Sequence, residues 1–253
     1  MHKIHLAIVA LCINSLSYCQ EKQLVWAEEF NGPELNKKTW TVELGDGCPT
    51  LCGWGNQEKQ VYTTTNHRLA NGILYIEARK NGEEYSSTRL TTKGKKKFQY
   101  GRIEIRAQLP TGKGLWPAFW LLGDNIDAVG WPLCGEIDVL EYVGRAPGEI
   151  FTTLHTQAAH GDDGNSKTTA ILGIEQGFHT YAADWNSQRI RFYVDDQEVY
   201  AFAPKVKSEE IWPFDQPFYI LLNLAIGGHF GGDDIDDNRL PQQFAIDYIR
   251  VYQ

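Results

Sequence analysis

The 253-residue chain has no long amphipathic helical periodicity, and beyond Gln20 it has no linker, internal repeat or low-complexity segment. A helical bundle, a coiled coil or a solenoid is therefore excluded. Basic runs are missing too, apart from four lysines within 93–97 that read as a solvated turn, and the formal net charge is −8. Nucleic acid is not an expected partner for such a chain. Neither a G-x-S-x-G elbow nor a phosphate-binding P-loop occurs, and no histidine stands at finger-like spacing from the cysteines. Serine-nucleophile, nucleotide and structural-zinc chemistry lack their usual marks.

Apolar runs are short. The longest near the start, Ile4 to Ile13 after Lys3, is too short to span a membrane and suits the core of a secretory signal peptide. Ser17-Tyr18-Cys19 offers a small-x-small cleavage site, so residues 1–19 read as the signal and 20–253 as one secreted domain. The alternatives are periplasmic retention or lipid anchoring through Cys19, which the bulk of Tyr18 disfavours. No membrane span is expected in the mature chain, which carries 23 basic and 32 acidic residues, a net charge of −9. Cys48, Cys52 and Cys134 remain after export, an odd number. One disulfide and one free thiol are expected, and the spacing does not say which pair forms.

What the chain does have is aromatic residues, with eight Trp, twelve Tyr and eleven Phe, set in short β-rich runs between Gly, Asn, Asp and Pro clusters. The runs are Leu24–Phe30, Ile73–Ala78, Phe98–Leu109, Trp116–Leu122, Glu136–Tyr142, Ile150–His155, His179–Asn186, Arg189–Val194, Glu198–Phe202, Phe218–Ile226 and Phe244–Tyr252. In Phe98–Leu109, Ile103, Ile105 and Ala107 alternate with Arg102, Glu104 and Arg106. About a dozen strands in one domain predict an all-β sandwich or barrel. A short helical turn is expected only in places such as Lys207–Trp212.

Chemistry concentrates in Gly135-Glu136-Ile137-Asp138-Val139-Leu140-Glu141-Tyr142. Residues two apart share a strand face, so Glu136 and Asp138 point one way and Ile137 and Val139 the other. Strict alternation would turn Glu141 into the core. A β-bulge near Val139–Leu140 restores it to the acidic face. Carboxyls crowded on one face separate in proton affinity, which is what glycoside hydrolysis requires of its nucleophile and its acid/base. Taken alone, the pattern also fits an exposed strand with solvated acids or a calcium site.

The surrounding residues suit a sugar. Trp116 and Trp120 share one strand face, Trp131 lies five residues before Glu136, and Trp54 sits in a Gly-rich turn. Trp116, Trp120 and Trp131 are candidate stacking platforms, while Asn56, Arg89, His155 and Asn223 are candidate polar contacts. His155 ends the strand after the acidic one and is expected beside Glu141.

These segments resemble family 16 glycoside hydrolases, and most closely their laminarinase (endo-β-1,3-glucanase) branch. The markers span the mature chain: Trp26-Ala27-Glu28-Glu29-Phe30-Asn31-Gly32, Trp54-Gly55-Asn56-Gln57-Glu58, Tyr100-Gly101-Arg102-Ile103-Glu104, Trp116-Pro117-Ala118-Phe119-Trp120, Gly130-Trp131-Pro132, the acidic strand, Gly177-Phe178-His179-Thr180-Tyr181 and Asp247-Tyr248-Ile249-Arg250-Val251-Tyr252. The resemblance implies a two-sheet, concanavalin-like jelly-roll β-sandwich with an open cleft on its concave sheet. It implies Glu136 as nucleophile, Glu141 as acid/base and Asp138 as their helper, with no catalytic cofactor. It also implies a structural calcium ion held by Glu29, Gly72 and Asp247, oxygen donors of the kind calcium prefers. Two positions depart from the pattern: Gln57 stands where many relatives carry Asn, and Phe230 where a Trp is frequent.

The expected activity is retaining, endo-acting cleavage of β-1,3-glucan, laminarin-like or mixed-linked, by a monomer. The alternatives are a red-algal galactan hydrolase of agarase or carrageenase type, a transglycosylase sharing the covalent intermediate, and a non-catalytic β-glucan-binding module. The presence of all three acids speaks against the last. The acidic turn Asp233–Asp237 is expected to be a solvated loop rather than a second ion site.

Overall fold

The computed structural model describes residues 22–253. The expected signal peptide, with Cys19 and the cleavage site, lies outside the described residues. In chain order the strands are β1 Leu24–Glu28, β2 Thr41–Glu43, β3 Gln60–Tyr62, β4 His67–Ala70, β5 Ile73–Asn81 and β6 Glu84–Ser87. Then come β7 Arg89–Thr91, β8 Gly101–Gln108, β9 Leu115–Gly123, β10 Glu136–Glu141, β11 Glu149–His155 and β12 Asn165–Ala170. The last five are β13 His179–Trp185, β14 Ile190–Val194, β15 Gln197–Phe202, β16 Phe218–Ile226 and β17 Gln242–Tyr252.

They form two sheets. One has seven strands in the order β12-β11-β10-β9-β16-β7-β2; the other has ten, built on β15-β14-β13-β8-β17-β5-β6-β3 with β1 and β4 alongside. Neither closes into a barrel, so the open sandwich is the correct member of the expected pair. Alternation does the packing. From the ten-stranded sheet, Ile103, Ile105 and Ala107 of β8 enter the core with Leu74, Ile76 and Ala78 of β5. From the seven-stranded sheet come Leu115, Phe119 and Leu121 of β9 and Ile220, Leu222, Leu224 and Ile226 of β16.

The helices among the described residues are short: α1 (Ile126–Val129), α2 (Gly228–Gly231) and three 3-10 turns. Lys207–Trp212, where a short helical turn is expected, holds a single turn closed by the Trp212 N–H on the Ser208 carbonyl at 2.8 Å and does not extend into a helix. Six strands escape the sequence reading: β2, β3, β4, β6, β7 and β12. All six are short and polar or broken by turn residues, so their pairing comes from neighbours rather than from their own pattern.

Cys48 and Cys52 form the disulfide, and Cys134 is a buried free thiol. Burial, then the charge of Glu136, pushes the Cys134 thiol up to about 12. Lys93 and Lys97 are spent on Asp127 and Asp124, and Lys95 on the carbonyls of Lys37 and Trp40. The acidic turn is likewise ion-paired, through Lys59–Asp233, Lys113–Asp234, Arg239–Asp236 and Lys80–Asp237.

Candidate active site

β10 carries the expected bulge. Against β9, Asp138 faces Trp120 and Leu140 faces Phe119, so Val139 is one residue too many. Against β11, the four residues from Asp138 to Glu141 oppose the three from Thr153 to Phe151. The extra residue lets Val139 and Leu140 both enter the core, at 1% and 0% exposure. Glu141 is thereby returned to the outer face with Glu136 and Asp138.

That face is the floor of an open cleft of about 380 Å³, within the roughly 300–1,000 Å³ of typical small-ligand pockets. Every residue expected to touch substrate lines it: Asn56, Arg89, Trp116, Trp120, Trp131, His155 and Asn223, together with the three acids. On β9 the cleft takes Trp116, Ala118, Trp120 and Leu122, the outward half of the alternation.

The acids are hydrogen-bonded from the walls. Trp131 Nε1 donates to Glu136 Oε2 at 2.6 Å, and Trp116 Nε1 donates to Glu141 Oε1 at 3.1 Å. The two indoles differ in exposure, with Trp131 at 47% and Trp116 at 9%. Trp120 Nε1 donates to Asn223 Oδ1 at 2.8 Å.

His155 is not beside Glu141 as expected. It pairs in register with Glu136, and its Nε2 lies 3.3 Å from Asp138 Oδ2. The antiparallel register, which the sequence does not state, decides this. Burial works against an imidazolium there, but the hydrogen bond and charge of Asp138, then the charges of Glu136 and Glu141, lift His155 to about 9. Burial and then the Asp138 charge raise Glu136 to about 8; His155 and the Trp131 N–H act the other way. Glu141 is raised well above the usual carboxyl range by the same first two causes. Glu136 and Glu141 therefore hold their protons to higher pH than free carboxyls would. Ligand atoms of Glu136, Asp138 and His155 lie within 4.8 Å of one another, but the imidazolium already supplies the positive charge a metal would bring.

The other end of the cleft is a second network. Arg89 lies over Trp54 at 4.4 Å and over Trp120 at 4.9 Å, and its Nε donates to Glu43 Oε2 at 2.6 Å. Glu58 was missed by the sequence reading. It is 7% exposed and accepts hydrogen bonds from Gln60 Nε2 (2.6 Å), Tyr62 Oη (3.0 Å) and Asn56 Nδ2 (3.3 Å). Burial raises its pKa, against the pull of Arg89 and the three donors. The available signal was its spacing two residues from Asn56. Asn56 is also pinned by its backbone, since its carbonyl accepts from His229 N at 2.8 Å. Gly228 permits this approach: it has φ +78, and a Cβ there would fall 2.6 Å from the Asn56 oxygen. Leu51, Trp54, Gly55, Ile126 and Gly161 complete the lining. Among the lining residues Arg89 is the one Lys or Arg, and it is already paired.

The expected calcium ligands share a corner of the ten-stranded sheet. A Cβ on Gly72 would lie 3.0 Å from Asn31 Oδ1 and 3.9 Å from the Glu29 carbonyl oxygen. Asp247 sits at a second bulge, where the β17 register shifts between Ile246 and Tyr248. The Glu29 carboxylate is turned to Arg250 at 2.7 and 3.0 Å, leaving its carbonyl for an ion. Arg106 takes Oδ2 of Asp247 and leaves the other oxygen. The donors are all oxygen, as calcium requires, with Arg106 as a competitor for Asp247.

Residues 54–250 match the sequence profile of Glycosyl hydrolases family 16. The chain belongs to that family. A beta-glucanase from Rhodothermus marinus is 40% identical over 248 residues, covering 91% of this chain and 85% of that protein. A glucan endo-1,3-beta-glucosidase from Cryptopygus antarcticus is 37% identical over 254 residues, covering 90% and 91%. The crystal structure of a laminarinase from Flavobacterium sp. UMI-01 superposes with a TM-score of 0.90 at 61% identity, covering 91% of this chain and all of that one. This family 16 glycosidase is thus a jelly-roll sandwich, as expected. Among its described residues no helix is long and apolar enough to cross a membrane.

Proposed function

We propose that this glycosidase is a secreted, monomeric, endo-acting β-1,3-glucanase that works with retention, its catalytic domain being residues 20–253. The observation that carries the reading is the bulged β10, which sets Glu136, Asp138 and Glu141 on the floor of an open cleft walled by indoles. Ionised Glu136 attacks the anomeric carbon and forms a glycosyl ester as the bond to the leaving sugar oxygen breaks. Glu141 gives its proton to that oxygen. Esterification removes the charge of Glu136, so Glu141 ionises more easily. It then takes a proton from water, whose oxygen attacks the same carbon and frees Glu136. Asp138, held by His155, keeps the charge between them balanced. No cofactor enters. A separation of about 5–5.5 Å between the two carboxyls is what retention demands.

Trp131, half exposed beside Glu136, suits stacking on a sugar face, whereas Trp116 is too buried to offer much of its own. The laminarinase and endo-1,3-glucosidase relatives support β-1,3-glucan as substrate. A sulfated galactan would call for free cations, and Arg89 is committed to Glu43. We also assign a structural calcium ion to Glu29, Gly72 and Asp247, away from the chemistry.

The test is reducing-end release from laminarin, lichenan, agarose and carrageenan, followed by azide rescue. Laminarin should be cut internally. Glu136→Ala and Glu141→Ala should each lose several orders of magnitude in turnover. With azide, Glu141→Ala should yield β-glycosyl azide and Glu136→Ala α-glycosyl azide. Agarose degraded with laminarin untouched would replace the substrate, and α-configured first products from the wild type would replace the mechanism.

A further inference from the structure

The two carboxyls that the proposed reaction needs each receive one indole N–H, and from different elements. Trp131 follows α1, and Trp116 belongs to β9. Each indole is braced by other rings. Trp131 tilts on His155 at 5.9 Å and meets His160 edge-on at 5.4 Å. Trp116 meets Phe230 edge-on at 5.4 Å, and Phe230 rests on Phe151 at 5.0 Å. An indole N–H only donates. It therefore needs an acceptor in every protonation state, and because a carbonyl oxygen accepts better than a hydroxyl oxygen, a proton is favoured on the other oxygen.

The two bonds also differ in length. The contact to Glu136 is 2.6 Å and the contact to Glu141 is 3.1 Å.

We propose that Trp131 and Trp116 are positioning residues that assign the two carboxyls their parts. Trp131 clamps Oε2 of Glu136 and favours its anionic state for attack. Trp116 clamps Oε1 of Glu141 and so places the transferable proton on Oε2. The inference rests on the retaining reading above. In this view Phe230, standing where relatives often have Trp, braces the indole that serves Glu141.

Other charges face these groups. Glu136 sees Asp138 on its own strand, His155 across on β11, and Cys134 behind it. His160 packs on the Trp131 ring. Glu141 sees Asp138, His155 and Glu136, and Arg145 lies over Phe230 at 5.9 Å. Glu58, Glu43 and Arg89 stand at the far end of the cleft.

The experiment compares Trp131→Phe and Trp116→Phe with the wild type in kcat/KM on laminarin across pH. A donor to the charged form lowers a pKa, so its loss raises it. Trp131→Phe should move the acidic limb upward by on the order of one pH unit and leave the basic limb in place. Trp116→Phe should move the basic limb upward by a similar amount. Glutamate-selective carbon-13 carboxyl titration reads the same shifts without turnover. Trp131 lies at the exposed rim, so its variant remains informative if Trp116→Phe does not fold. Unmoved limbs with reduced kcat/KM would overturn the proposal and leave the indoles as stacking surfaces only. Exchanged limbs would overturn it as well. The azide products of Glu136→Ala and Glu141→Ala test the retaining reading separately, because they do not depend on either indole.

Discussion

Replacing Glu136, the proposed nucleophile, by its neutral isostere should make the protein more stable. Glu136 is partly buried beside Asp138, and its pKa rises from about 4.5 to about 8. A carboxyl whose folded pKa is raised contributes stability below its unfolded pKa, and that contribution is lost as pH rises toward the folded value. At pH 7 the wild type therefore bears a penalty that Glu136→Gln removes. Across the roughly 2.5 pH units between 4.5 and 7, at about 1.4 kcal/mol each, the ceiling is about 3 kcal/mol. The glutamine oxygen can still accept the Trp131 N–H, while the charge facing His155 is lost, so a gain of about 1–3 kcal/mol is expected. For a domain of this size that is roughly 2–10 °C in Tm. Thermal melts of both proteins at pH 4, 5.5, 7 and 8.5 should show coincidence at pH 4 and a gap that opens with pH and levels off above about 8. A variant no more stable than the wild type at pH 7, or a gap independent of pH, would refute the reasoning. Turnover should fall by several orders of magnitude at every pH.

His155→Gln should destabilise, because Asp138, 3% exposed, loses the cation it faces. Breaking a buried pair costs about 3–5 kcal/mol. His155 is raised to about 9, so its stabilisation is full below pH 6.5 and is lost as pH rises through about 9. Denaturant melts at pH 6 and pH 10 should show the variant's deficit shrink; an undiminished deficit would count against the ion pair. Glu58→Gln weakens the hold on Asn56 and should raise KM about 2–10-fold with kcat nearly unchanged, the worth of one hydrogen bond. Steady-state kinetics on laminarin decides this, and a collapse of kcat alone would move Glu58 into the chemistry. Removal of calcium by chelation should lower Tm by roughly 5–10 °C if the ion is held at about a hundred times its Kd, without abolishing catalysis. An unchanged Tm and a metal-free elemental analysis would strike the ion.

Much of the cleft was legible because strand geometry turns sequence spacing into facing. Trp116, Ala118 and Trp120 share a face for the same reason that Leu115, Phe119 and Leu121 share the core. The bulge could be inferred from a conflict, since Glu141 in strict alternation would have been a charge in the core. β3 and β7 were not legible. They are three residues each and carry no period of their own, yet β7 presents Arg89 and the segment leading into β3 presents Glu58.

By itself the sequence determined which side chains face out and which face in, because that depends only on the two-residue period of a strand and one inserted residue. It therefore determined the all-β class and the acidic face. Only the tertiary structure decided who stands opposite whom. The antiparallel register between β10 and β11 gave His155 to Asp138 instead of Glu141. The turn after α1 brought the Trp131 N–H to Glu136. Chain folding chose Cys52 over Cys134 as the partner of Cys48. Such pairings depend on the path of the chain between strands, and a side-chain period carries no information about that path.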